Sequence, residues 1–451
     1  MALVNESTSN PTRILVVGGG YVGMYTALGL QRSLKREIRS GAVHVTVVDP
    51  QTTMTYQPFL PEAAAGNVEP RHVVVPLRRA LRQCRVITGA VTAVDHAGHR
   101  ATVVPIGGAQ YELGYDILVM APGSVSRVLP IPGLAEQGIG FKTIGEAISL
   151  RNRVLDRLDF AASIVESPDE DAARRRALTF VFVGGGYAGI EALGELENMA
   201  RYATRYTPGV DAADMRWVLV EAADRVMPEV SRRMSAYAVQ QLRERGIAVK
   251  LSTRLNSVTG GRVELSDGES FEADTVVWTA GVKPNPMLRA TDLPLDGKGR
   301  LTCDATLAVR GLDGVFAAGD CAAVPDVTKP DPNALCGPSA QHAVRQARRL
   351  ARNIALYLRS KPLVEYRHAY AGSVASLGLY HGVAEIYGLR LRGFPAWWMH
   401  RTYHVSKMPT LNRKIRIIAD WTGALLFRRE VVSLGQLQHP RTEFQLAASD
   451  R

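Results

Sequence analysis

The sequence predicts an α/β protein made of two parallel-sheet domains, one inserted into the other, followed by a C-terminal region of different character. Three observations carry that expectation. The stretch ILVVGGGYVGMYTAL (Ile14–Leu28) returns as FVFVGGGYAGIEAL (Phe180–Leu193). Each copy is followed by a further apolar strand ending in an acid, Asp49 in the first case and Glu221 in the second. Beyond residue 365 the composition turns basic and aromatic.

The 451 residues suffice for about three domains of ~100–200 residues. Hydrophobic residues make up 46% and charged residues 22%, a globular balance. No run reaches the ~18 apolar residues of a membrane-crossing helix. The opening MALVNESTSNPTR has no basic segment leading into an apolar one, so a short disordered lead-in without a secretion signal is expected. Cys84, Cys303, Cys321 and Cys336 form neither a CxxC pair nor a metal-ligand spacing, which fits a reducing, cytoplasmic setting and no bound metal. The net charge of +11 admits nucleic acid, a membrane surface or acidic ligands, and its uneven distribution decides among them.

Ile14–Val17 is a fully apolar, branched run, as a strand buried on both faces should be. Gly18-x-Gly20-x-x-Gly23 follows, then a helical pattern through Tyr25, Leu28, Leu30 and Leu34. In this order the first glycine makes the tight turn, the second lets the backbone approach a pyrophosphate, and the third lets helix pack on strand. The free N–H groups and positive dipole end of the helix face the phosphates. Gly18, Gly20, Tyr21, Val22 and Gly23 are therefore the expected cradle, with Asp49 and Pro50, at the end of strand Val43–Val48, on the ribose side. The second copy repeats the arrangement: strand Leu178–Val183, turn Gly184, Gly186 and Gly189, then strand Trp217–Val220 and Glu221. A carboxylate at Glu221 holds both ribose hydroxyls and repels a 2′-phosphate, so NADH is expected over NADPH, with Arg225 close enough in sequence to soften the preference.

Two dinucleotide turns in one chain point to a flavin and a nicotinamide, here FAD and NADH, with hydride passing between them. Gly314–Asp320 reads as a buried strand ending in Gly319-Asp320, the position at which two-dinucleotide flavoproteins hold the ribityl chain. Ile117–Met120 with Ala121-Pro122-Gly123 reads as the strand leaving the flavin domain, and Val276–Ala280 with Gly281 as its counterpart after the nicotinamide domain. The expected architecture is two Rossmann-like domains: FAD-binding at 11–125 and 300–365, and NADH-binding at 126–299. The C-terminal region, 366–451, is membrane-associating or dimerising. The polar stretch Glu166–Arg176 is expected as a surface loop.

Asp49 to Arg71 contains no cysteine, which removes the flavoprotein disulfide reductases, and Cys336 has no partner of the kind sulfide:quinone oxidoreductases need. Pro338 or Ser339 opens a helix with Ala340, Ala343, Val344, Ala347, Leu350 and Ile354 at helical period. Its N-terminus follows the Gly-Asp motif, where its dipole would favour an anionic flavin. The YQPFLPEAAAG (Tyr56–Gly66), GGGYAGIEALGEL (Gly184–Leu196), AGVKPNP (Ala280–Pro286), AQHAVRQ (Ala340–Gln346) and GSVASLG (Gly372–Gly378) motifs complete a pattern. With them the chain resembles, over nearly its whole length, the type II NADH:quinone oxidoreductases, single-subunit respiratory NADH dehydrogenases. The resemblance implies that Gln341 lines a quinone pocket beside the flavin and that Glu191 faces the flavin region and takes part in the quinone reaction. Two positions depart from the family pattern. Arg345 stands where its second glutamine is usual, with Gln346 one place too late to share that face. Tyr370-Ala371 replaces an acid–lysine pair. Arg345 reads either as a solvated residue stacked with Arg348 and Arg352 or as part of the active site.

Leu391–Arg401 mixes Trp397, Trp398 and Phe394 with basic residues, and Lys407, Arg413, Lys414, Arg416, Arg428 and Arg429 follow with Asp420 the only acid between Arg390 and Arg429. Tryptophan and arginine on amphipathic segments suit a lipid headgroup interface, and a quinone lives in the bilayer. The expectation is a homodimer on the cytoplasmic face of the cell membrane that binds no nucleic acid, since neither a recognition helix nor an RNP-type pattern occurs. In the expected relay hydride passes from NADH to flavin, and two electrons then pass to a quinone near Gln341. Protons arrive from solvent or through Glu191 or His342, and Arg345 is the further catalytic candidate. Two other readings stay open: a soluble NADH-dependent flavoprotein reductase whose acceptor is a protein or another non-quinone group, and an NADH-responsive flavin-binding interaction protein.

Overall fold

A computed structural model describes residues 10–164, 168–368, 372–427 and 429–433. Residues 1–9 of the expected lead-in lie outside these, as do Arg428 and the Tyr370-Ala371 departure, whereas Thr12 and Arg13 of that lead-in belong to a strand. The chain forms two compact units: Met1–Thr55, Val75–Val125 and Val282–Tyr370 make the first, and Tyr56–Val74, Ser126–Gly281 and Ala371–Arg451 the second.

The first unit is built on a seven-stranded sheet in the order Val315–Ala317, Ile117–Met120, Thr12–Val17, Val43–Asp49, Arg85–Asp95, Arg100–Pro105, Tyr111–Gly114. The first five strands are parallel, in register Val16 opposite Val47 and Val119, and Phe316 opposite Val119. Ile14–Val17 and Ile117–Met120 are buried throughout, as strands covered on both faces must be. The last three strands turn antiparallel. Helices Tyr21–Ser33 and Ala340–Tyr357 pack so closely that a Cβ at Gly29 would lie 2.4 Å from Ala351 Cβ.

The second unit has an all-parallel five-stranded sheet: Gly138–Gly140, Thr275–Trp278, Thr179–Val183, Arg216–Val220, Ala248–Lys250. Phe180 stacks on Trp217 with ring centroids 4.4 Å apart. The antiparallel sheet Leu255–Ser257, Arg262–Leu265 and Ser270–Glu272 covers one face through Leu255, Val263 and Leu265. Thr143 and Glu146 form a capping box at the start of helix Ile144–Ser163. The C-terminal hairpins Gly372–Ser376, Gly382–Ile386 and Leu389–Arg392 and helices Phe394–Lys407 and Leu411–Phe427 belong to this unit rather than standing apart. A Cβ at Gly194, on helix Tyr187–Ala203, would lie 2.5 Å from the Leu377 carbonyl.

Three expectations need correction. Residues 282–299 pack with the first unit, so the chain returns to it at Val282 and not at 300. The reason is local bonding: Asn285 donates to Gly123 O, and Asp292 accepts from the His96 and Ala97 amides. The stretch expected as a loop at Glu166–Arg176 contains helix Pro168–Ala177. Proline at its first position, acids early and Arg174, Arg175 and Arg176 in its last turn all suit the helix dipole. The tryptophans of the basic end do not all face outward. Trp397 is buried and Trp421 Nε1 donates to Glu62 Oε2 at 2.8 Å, leaving Trp398 exposed.

Candidate active site

The two glycine turns fold alike in detail. Gly18 and Gly184 have φ +99° and +116°, conformations that a side chain would strain. A Cβ at Gly18 would lie 2.3 Å from Ala121 O, and one at Gly184 would lie 2.7 Å from Thr279 Oγ1. A Cβ at Gly23 would meet Gly18 O at 1.8 Å, and one at Gly189 would meet Gly184 O at 2.1 Å, so each helix sits directly on its turn. Gly20 and Gly186 are the extended N-caps of helices Tyr21–Ser33 and Tyr187–Ala203, with no capping side chain and open space where a Cβ would be. The first amides of both helices, including Tyr21 and Val22, thus face a space that a pyrophosphate can enter.

The acids complete each cradle in the same way. Asp49 accepts from Gly19 N and Gln51 N, both at 2.6 Å. Glu221 accepts from Gly185 N at 2.5 Å and Ala223 N at 2.7 Å. Burial raises the Asp49 carboxyl above its ordinary value, and the two amides oppose that shift. Each acid is locked onto its own turn, with lone pairs left for ribose hydroxyls. Pro50 follows Asp49 on the exposed side. Arg225 does not face Glu221's carboxylate as a free charge; it donates to Pro228 O and Val230 O.

In the first unit, Ala121 N donates to Val17 O at 2.8 Å, which seats the Ala121–Gly123 turn beside Gly18. Asp320 Oδ2 accepts from Ser124 Oγ at 2.6 Å, tying the Gly-Asp motif to the same turn. Gly319 N donates to Gln346 Oε1 at 2.7 Å. Gln346 is fully buried, so this glutamine, set aside at the sequence level, positions the Gly319–Asp320 motif. Its signal was present: helical period puts it on the buried face with Ala343, Leu350 and Asn353. In the second unit Gly281 has φ +91° and accepts from Arg127 N.

Helix Ala340–Tyr357 starts where expected, with Ser339 Oγ accepting from His342 N at 3.2 Å. Gln341, His342 and Arg345 lie on its first turns, in the first unit, and Glu191 lies in the second. His342 Nδ1 is 2.9 Å from the Tyr366 hydroxyl. Burial, foremost, holds the His342 imidazole below its ordinary value, with Asp326 opposing and Arg345 and Lys329 adding to the shift. Arg345 is not stacked in solvent with Arg348 and Arg352: its guanidinium contacts the His368 ring. Burial, then Arg345 and His342, push His368 down to about 4, so the ring is neutral at pH 7. All four cysteines are free thiols; burial pushes Cys321 and Cys84 up to about 12 and Cys336 to about 11, far from a reactive thiolate.

Glu191 is buried, accepts from Ser376 N at 3.1 Å, and has His400 Nε2 3.0 Å from its Oε1. One turn further along the same helix, buried Glu195 accepts from Asn67 Nδ2 at 2.8 Å and Ser376 Oγ at 3.0 Å. Glu62 pairs with Arg401 at 3.1 Å. Glu62, Glu195 and His400 carried no role in the sequence reading. The four-residue spacing of Glu191 and Glu195 was the one available hint that both carboxylates share a helix face.

Among relatives, the type II NADH:quinone oxidoreductase Ndh of Mycobacterium tuberculosis is 27% identical over 447 residues, covering 95% of this chain and 92% of its own. A type II NADH:quinone oxidoreductase of Staphylococcus epidermidis is 29% identical over 399 residues, 86% of this chain and 93% of its own. Among solved structures, NDH2 from Plasmodium falciparum in complex with NADH has a similar fold, with TM-score 0.85 at 16% identity over 93% of this chain and 99% of that one. The family described as pyridine nucleotide-disulphide oxidoreductase matches residues 12–347. That match takes in both glycine turns and most of the chain's length, and the protein belongs to the pyridine nucleotide-disulphide oxidoreductase family.

Proposed function

We propose that the protein is an FAD-dependent oxidoreductase that takes hydride from NADH and reduces a quinone. The observation that carries this is the duplicated cradle: two uncapped helix N-termini, each with an open glycine and an acid locked to its turn, in one chain. FAD belongs to the first cradle, supported by the Ala121–Gly123 turn and Asp320 in the same unit. NADH belongs to the second, supported by Glu221, whose charge disfavours a 2′-phosphate and which Arg225 does not offset. Bound FAD supplies the two-electron exchange between the nicotinamide and the acceptor. The chain's own contribution is to bind and orient: helix amides and glycines hold the pyrophosphates, the acids hold the riboses, and Gln346 fixes the Gly319–Asp320 backbone. The four cysteines are free thiols, and Gln341 and Glu191 take the roles that the family resemblance implies.

Stopped-flow absorbance of the flavin tests this. NADH is expected to bleach it, NADPH at least tenfold more slowly, and a short-chain quinone to restore it within the turnover time. Glu191→Gln is expected to slow restoration by quinone at least tenfold more than it slows bleaching. Bleaching without restoration by any quinone rejects the quinone and favours a protein acceptor.

We further propose peripheral attachment to anionic membrane on the cytoplasmic side, where NADH is found, by a homodimer. Helix Leu411–Phe427 buries Ile417 alone among its described residues and exposes Leu411, Ile415, Ile418, Leu425 and Leu426 beside Arg413, Lys414 and Arg416. Among the described residues no helix is long and apolar enough to cross a membrane. Such a helix lies in the interface, and each basic residue adds up to about 1 kcal/mol near anionic lipid. Vesicles containing phosphatidylserine are expected to sediment the protein at low salt, and Leu425→Glu with Leu426→Glu to release it. Equal sedimentation of the double variant removes the helix from that role. Sedimentation velocity at a monomer's mass removes the dimer.

A further inference from the structure

The second unit encloses a polar cluster that neither cradle uses. Glu62, Glu191 and Glu195 come from helices Leu60–Ala64 and Tyr187–Ala203, and each is at most 7% exposed. Facing them are Arg401, 3.1 Å from Glu62, and Arg429, 3.7 Å from Glu195. His400, 1% exposed, brings Nε2 to 3.0 Å from Glu191. Three carboxylates thus meet two guanidinium groups, and the charge closes only if the cluster holds one further proton. Buried charge that is not balanced is expensive, so that proton is retained.

The other charged groups around the cluster do not supply the balance. His404, whose ring centroid is 4.5 Å from that of His400, is kept neutral by burial, its imidazole falling well below the ordinary value. Arg151, near Arg429, donates to the Glu430 carbonyl oxygen at 3.1 Å and feels the charges of Glu430 and Glu69. Among the described residues Glu191 is the one carboxylate in ion-pair reach of His400, through Nε2, and neither ring nitrogen of His400 has another hydrogen-bond partner there.

We propose that His400 and Glu191 form a proton-holding pair, in which the imidazolium of His400 replenishes Glu191 when Glu191 gives a proton to the reduced acceptor. This rests on the quinone reading above. Its stoichiometry closes. Hydride brings two electrons and one proton, a quinol needs two electrons and two protons, and the missing proton is the one the cluster holds. The N–H bond of His400 Nε2 breaks as the O–H bond of Glu191 forms. The O–H bond of Glu191 breaks as that of the quinol forms, and solvent returns the proton to His400. His400 is a positioning and storage residue, since it acts through Glu191. Burial opposes its charged form, but Glu191 and then Glu62 outweigh burial and raise its imidazole above the ordinary value. Because the folded value is raised, the proton is held below and through the ordinary histidine range and lost as pH rises past the folded value.

The test uses the FAD-loaded full chain labelled with 13C at histidine Cε1. One resonance is expected to titrate above the ordinary histidine range, to vanish in His400→Gln and to move to lower pH in Glu191→Gln. In stopped flow, restoration of the flavin by short-chain quinone is expected to fall with pH at that same midpoint as a one-proton limb. His400→Gln is expected to abolish the limb and slow restoration at least tenfold more than it slows bleaching by NADH. If His400→Gln loses its flavin, the resonance that moves in Glu191→Gln identifies His400 and the wild-type midpoints decide. An ordinary His400 titration with quinone turnover intact overturns the proposal alone. A raised titration without quinone turnover in the wild type overturns the quinone reading and the delivery step with it.

Discussion

Gly23→Ala is expected to purify without FAD, whereas Gly189→Ala is expected to purify yellow and to resist bleaching by NADH. Both substitutions add one methyl at the third glycine of a turn, where it would overlap a backbone oxygen, Gly18 O at 1.8 Å or Gly184 O at 2.1 Å. No rotamer relieves such a contact, so the helix must move off its strand and carry the phosphate-facing amides with it. Overpacking of this kind costs about 1–3 kcal/mol or more, which is about five- to hundredfold or more in nucleotide affinity. The two glycines lie in different units, at Gly23 and Gly189, so the losses separate. The ratio of flavin to protein absorbance reads the first, and the rate of bleaching at rising NADH reads the second. Stoichiometric FAD in Gly23→Ala, or FAD lost from Gly189→Ala alone, would reverse the assignment of the turns.

Arg401→Met is expected to destabilise the second unit strongly. Glu62, 1% exposed, would keep its hydrogen bond from Trp421 but lose its guanidinium partner. Removing one partner of a buried ion pair costs about 3–5 kcal/mol. Arg401 also stacks over the Trp397 ring, with its guanidinium carbon 4.1 Å from the centroid, and methionine recovers part of that packing. Adding Glu62→Leu should return much of the loss, because no buried charge is then left unpaired. The pH dependence has a definite sign. Burial raises the Glu62 carboxyl above its unfolded value, with Arg401 opposing. Without Arg401 it rises further, so the folded state binds a proton that the unfolded state does not, and stability falls as pH rises through that range. The thermal midpoint of Arg401→Met relative to wild type is therefore expected to be lower at pH 8 than at pH 5. A difference that does not change with pH would mean that the variant loses packing and not charge.

Much of the fold was legible because its signals are local. Strand, glycine turn, helix, strand and acid occur within about forty residues of chain in each repeat, so hydrophobic pattern and turn chemistry are sufficient to read them. The capped start of helix Ala340–Tyr357 was legible for the same reason. The helix at Pro168–Ala177 was missed because its polar composition lacks an apolar stripe; its arginines reach across to Asp214 and Asp274 instead. The sequence leaves Arg345 open because its contact, His368, lies past the helix on a segment that carries no periodic signal.

By itself, then, the sequence determined that this protein has two dinucleotide cradles, one following the other, since each is made by residues close in the chain. Tertiary structure alone decided where Val282 returns to the first unit, that Gln346 holds Gly319, and that Glu62, Glu191, Glu195, His400, Arg401 and Arg429 meet. Those six residues come from three stretches of chain more than a hundred positions apart. A buried charge is tolerable only where its counter-charge arrives, and that arrival is settled by packing, which the local pattern of a chain does not encode.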